Sequence, residues 1–80
     1  ATGTERAFRY HVIGGCFSLK ENAERFLEQL RATGFDAVLV DEHHGLYRVA
    51  FGSYPERSMA LEALAAVRRE QGTDAWLLVK

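Results

Sequence analysis

The sequence predicts an α+β fold: a β-α-β-β-α-β, ferredoxin-like split chain whose four-stranded antiparallel sheet packs two helices on one face. Hydrophobic periodicity is the first observation that predicts it, switching between a period of two and a helical period in that order along the 80 residues. The second is an internal repeat. Counting from Tyr10 to Tyr47, an offset of 37 positions pairs Tyr10/Tyr47, Val12/Val49, Gly15/Gly52, Phe17/Tyr54, Ala23/Ala60, Leu27/Leu64 and Arg31/Arg68. Two copies are too few for a solenoid and suit a pseudo-two-fold split β-α-β sandwich. In that topology the first and third strands are the central neighbours, flanked by the fourth and the second.

Residues 1–7 are small and polar and read as a linker, leaving 8–80 as the domain. The first strand is expected over Arg9–Gly15, ending at the breaker pair Gly14-Gly15. Ser18 followed by Glu21 is a capping-box pattern. Ala23, Phe26, Leu27 and Leu30 then form one apolar stripe, and Gly34 sits where a left-handed cap would end that helix. Asp36–Glu42 contains the apolar run Ala37-Val38-Leu39-Val40, a second strand joined through His43-His44-Gly45 to a third strand over Gly45–Gly52. From Pro55 a second helix runs to about Gln71, with Met59, Ala60, Ala63, Leu64 and Val67 as its stripe and Gly72 at its end. Asp74–Lys80 supplies the fourth strand.

Two helices cover one face of such a sheet, so alternation sorts the strand residues. Tyr10, Val12, Ala37, Leu39, Tyr47, Val49, Phe51, Ala75, Leu77 and Val79 are expected to meet the helices. His11, Ile13, Val38, Val40, Leu46, Arg48, Ala50, Trp76 and Leu78 are expected on the uncovered face, which is apolar enough to suggest a contact surface. On it Arg48 offers a planar donor fork, and Trp76 an aromatic plane of the kind that stacks on sugar C–H faces or bases. The bland alternative folds Trp76 over the sheet edge and pairs Arg48 with a neighbouring acid such as Glu42.

Composition narrows the function. A formal charge of -1 and a pI near 6.3 argue against a nucleic-acid partner, and the central open-face positions lack the aromatics of RNA-binding sheets. Cys16 is the lone cysteine, which excludes an intramolecular disulfide. No segment has the length and apolarity of a membrane span. His43 and His44 are adjacent and lack chelating spacing, Cys16 has no base in pattern with it, and the acids are scattered over helix surfaces. No catalytic constellation, metal site or cofactor motif emerges, and no enzymatic activity is expected.

The chain resembles the SPOR domain, the sporulation-related repeat of bacterial cell-division and cell-wall proteins. The resemblance is carried by Tyr10-His11-Val12-Ile13-Gly14-Gly15-Cys16-Phe17-Ser18, Glu21-Asn22-Ala23-Glu24 and Leu30-x-x-x-Gly34-Phe35. The second half repeats it in Gly45-Leu46-Tyr47-Arg48-Val49-Ala50-Phe51-Gly52-Ser53-Tyr54, followed by Ala60. It implies a peptidoglycan-binding module that takes glycan strands stripped of stem peptides at the division septum, in the periplasm or cell envelope. The family's binding positions map onto Ile13, Cys16, Leu46, Arg48 and Trp76, of which Arg48 keeps the family's residue type. Ile13 stands where the family commonly has Gln, Cys16 where it has Ser, and Ser53 where Pro is frequent, a change assigned to the turn. The rival expectation is a docking face for a cell-division protein or a second copy of the chain, built on the apolar residues Ile13, Val38, Val40, Leu46 and Leu78.

Overall fold

The structure, a computed structural model, describes residues 8–80, so the expected linker at 1–7 lies outside the described residues. Strands β1 (Tyr10–Phe17), β2 (Val38–His43), β3 (Leu46–Tyr54) and β4 (Trp76–Val79) alternate with helices α1 (Lys20–Thr33) and α2 (Arg57–Gln71) in the expected order. They form one antiparallel sheet of order β2-β3-β1-β4, with β1 and β3 central.

The core lies between the helices and one sheet face. Val12, Val49 and Phe51 pack there against Ala23 and Leu30 of α1 and Leu64 and Val67 of α2. Both helical stripes are therefore real, with one exception: Met59 is largely exposed while Ala60 one position on is fully buried. Gly34 and Gly72 both close their helices in the left-handed conformation. The capping box is not made. Leu19 occupies the N-cap position without a side-chain cap, and its carbonyl accepts from the Asn22 and Ala23 amides.

β1 does not stop at its glycines but runs on to Phe17. Pairing with β3 steps from Val12↔Gly52 to Ile13↔Ala50 and then to Gly15↔Val49, so Phe51 and Gly14 are each an extra residue on their own strand. A Cβ on Gly14 would penetrate the Phe51 ring, and one on Gly15 would lie 2.9 Å from the Phe17 ring. These glycines permit close approach of aromatic rings rather than a turn. The hairpin between β2 and β3 does turn on special backbone: His44 and Gly45 have φ of 52° and 79°, the pattern of a two-residue type I′ loop.

The repeat is visible in the bonding. Tyr10 pairs with Tyr54 and Phe17 with Tyr47, so each central strand meets the other in a symmetric register. Arg31 Nε donates to the Ala37 carbonyl at 3.1 Å, and Arg68 Nε to the Ala75 carbonyl at 2.8 Å, tying each helix to the residue that leads into its following strand. Gly14→Ala is expected to cost about 1–3 kcal/mol by overpacking, measured as a lower urea midpoint. In a Phe51→Leu background that cost should shrink. An equal cost in both backgrounds would show that the ring contact is not its cause.

Candidate binding surface

The face turned away from the helices is ordered in cross-strand rows. Leu46 pairs with His43, Asp41 with Arg48 and Arg48 with Cys16. Val38, Ala50, Ile13 and Trp76 form the next row across all four strands, and Ser53, His11 and Leu78 the row beyond it. Lys80 closes the series, its amide donating to the Arg9 carbonyl at 2.8 Å. The five expected site residues are thus brought to one face, but they are not equally available.

Leu46 and Trp76 are 41% and 39% exposed, and Cys16 is exposed beside Arg48. Ile13 is the correction: expected on the uncovered platform, it is 0% exposed, as is its partner Ala50. Neither belongs to the helix-side core cluster, and both sit in the open-face row. Ile13 lies in register between Ala50 and the large Trp76, where it supports the surface rather than presenting itself to a ligand.

Arg48 pairs with a neighbouring acid, as the bland alternative has it, though not with Glu42. Its Nε donates to Asp41 Oδ1 at 2.7 Å and its Nη2 to Oδ2 at 2.6 Å, a bidentate fork. The partner is Asp41 and not Glu42, because β2 carries an extra residue, Val40, between the Leu39↔Val49 and Asp41↔Arg48 pairs. One extra residue flips the alternation, and it brings a carboxylate to the open face at the point where strict alternation would put Val40. Lys80 Nζ donates to the same Asp41 Oδ2 at 2.7 Å. Since β2 and β4 are the outer strands, this bond spans the face from one edge to the other.

The electrostatics follow from this crowding. The Arg48 fork holds the Asp41 carboxyl well below the usual carboxylate range, with Lys80 adding to the effect, and Asp41 in turn raises Arg48. Buried His11 bonds Ser53 Oγ through Nδ1 at 2.7 Å. Its pKa is lowered first by burial and then by Lys80, with Asp41 partly opposing and Arg48 adding a little. Ser53, assigned to a turn from the sequence, is a β3 residue that anchors this imidazole.

Asp41, Lys80 and His11 were not among the expected site residues. Lys80 could have been found by continuing the alternation of Trp76 and Leu78, and the His11–Ser53 pair follows from the symmetric register of the repeat. The Val40 bulge carries no glycine or proline to announce it, so Asp41 had no such signal.

A sequence model of the SPOR domain matches residues 7–78. The chain belongs to the SPOR domain family. Among solved structures, it is similar to the peptidoglycan-binding domain of the B. subtilis cell wall lytic enzyme CwlC, with a TM-score of 0.72 and 29% sequence identity over 100% of this chain and 99% of that one. No curated protein sequence matches it. The SPOR assignment agrees with the sheet order and the one-sided helix packing described above.

Two stability effects are expected in this SPOR domain. The folded-state pKa of His11 lies below its ordinary 6.5, so protonation favours the unfolded chain. The stabilisation is complete above pH 6.5 and is lost as pH falls through the folded value. Thermal scans from about pH 7 down to about pH 5 should show a falling Tm that His11→Asn flattens; identical slopes for the two proteins would refute this account. Asp41 contributes in a lower window, its stabilisation present above its ordinary 3.8 and lost as pH drops further. With side chains only 12% and 22% exposed, the Arg48–Asp41 pair is partly sheltered from water. Asp41→Ala at neutral pH should cost about 1–3 kcal/mol by urea denaturation.

Proposed function

We propose that this SPOR domain is a noncatalytic module that binds peptidoglycan in the bacterial cell envelope, taking glycan strands stripped of stem peptides at the division site. The likeness to the CwlC domain, which is a peptidoglycan-binding domain and matches over the whole of both chains, is the observation that carries the reading. The open face supplies a surface of suitable chemistry. Exposed Trp76 offers an aromatic plane to sugar C–H groups, with Leu46 and Cys16 flanking Arg48. With Nε and one Nη2 hydrogen committed to Asp41, the guanidinium keeps three of its five N–H donors for hydroxyl or carbonyl oxygens. The Asp41 fork then serves to hold Arg48 in place.

Ile13 has no part in contacting the glycan in this reading; its role is to back Trp76. Its burial together with Ala50 also weakens the case for a docking face. Among the described residues, the large apolar side chains left exposed on that face are Leu46 and Trp76, with Phe8 apart from them at its far end. An apolar interface with a division protein or a second copy would need a more contiguous patch.

Retention on cell-wall sacculi, compared before and after amidase removal of stem peptides, tests the proposal. Retention should rise on the stripped material, and a domain that stays in the supernatant with both would overturn it. Trp76→Ala should lower retention about tenfold while keeping the circular-dichroism spectrum. Loss of the spectrum instead would make Trp76 a structural residue.

A further inference from the structure

A second concave region lies at the opposite end of the open face from Leu46 and Cys16. It is a groove of about 610 Å³ lined by Phe8, Arg9, His11, Lys80 and residues 38–40 of β2, within the range of small-molecule sites. None of the residues lining it is acidic. Arg9 is exposed, and its guanidinium has no hydrogen-bond or ion-pair partner among the described residues. Lys80 has three N–H donors, of which one goes to Asp41. Phe8 is 58% exposed and supplies an aromatic wall, while His11 is fixed from below by Ser53.

The asymmetry of the face has a chemical counterpart in the ligand proposed above. A stem peptide is joined to its sugar through an amide, and hydrolysis of that amide leaves a carboxylate on the sugar. Stripped strands therefore carry a negative charge wherever unstripped strands carry a peptide. We infer that the Phe8–Arg9–Lys80 groove is a second subsite that takes a carboxylate-bearing sugar of the same strand, with Arg9 and Lys80 on the carboxylate and Phe8 on the ring. This rests on the glycan reading of the open face. In that arrangement the neutral end around Trp76 grips sugar regardless of charge, and the cationic end distinguishes stripped from intact strand. The Asp41 carboxylate already bound by Lys80 sets the threshold, because a ligand carboxylate must share that ammonium with it.

The test uses a soluble muramic-acid-containing tetrasaccharide with free carboxylates, and the same tetrasaccharide with those carboxylates converted to primary amides, titrated calorimetrically into the domain. The wild type should bind the acid form more tightly than the amide form, with a difference that shrinks as salt is raised. Arg9→Gln should weaken binding of the acid form about tenfold and leave the amide form unchanged, and Arg9→Glu should reverse the preference. Equal binding of both forms by the wild type, or an equal loss for both in Arg9→Gln, overturns the carboxylate subsite while leaving the glycan platform standing. Binding of neither form overturns the platform and the subsite together. Both substitutions replace an exposed side chain, so a change in the circular-dichroism spectrum is not expected.

Discussion

The contact between the Phe51 ring and the backbone of Gly14 is the constraint from which the rest of the sheet takes its shape. Phe51 stacks edge-on against Phe35 at 4.9 Å and Phe26 at 6.3 Å, so one ring joins the connection between α1 and β2, helix α1 and the centre of the sheet. To seat it, both central strands carry an extra residue at the same level, and the strand opposite must have no side chain there. The two irregularities cancel, which is why Tyr10↔Tyr54 and Phe17↔Tyr47 stay in a symmetric register on either side of them. Without the extra residue on β1 every residue of that strand beyond Gly14 would face the other way.

The open face depends on a second irregularity of the same kind at its edge. The extra Val40 turns Asp41 toward Arg48, and Lys80 reaches Asp41 from the far edge. Two cations converging on one carboxylate leave the cluster with a single positive charge in excess, next to an imidazole whose pKa burial lowers. A domain of formal charge -1 thereby presents a locally cationic surface on one side of its sheet. Net charge alone would not have located it.

Most of the architecture was legible because it rests on periodicity and repetition. The stripes Ala23, Phe26, Leu27, Leu30 and Ala60, Ala63, Leu64, Val67 meet the sheet, and the order of strands follows from the doubled half-motif. What could not be read was parity beyond a bulge and burial without a covering element. Alternation assigns Ile13 to the open-face row correctly, yet does not give its burial. For Arg48, sequence proximity suggested Glu42, whereas the bulge selects Asp41. The capping box at Ser18 failed for a related reason: a local pattern proposed a bond that the path of the chain at Leu19 does not make.

The strand order has a consequence for how the chain folds. β1 and β2, which belong to the same half of the repeat, are not paired; β1 pairs only with β3 and β4, and β2 only with β3. Each half carries its own arginine tie from helix to following strand, but neither contains a strand pair. A half-domain is therefore not a stable intermediate, and the β1–β4 contacts join residues from opposite ends of the described chain, such as Tyr10 and Val79. Such non-local pairing favours one cooperative transition and comparatively slow folding for a chain of this size.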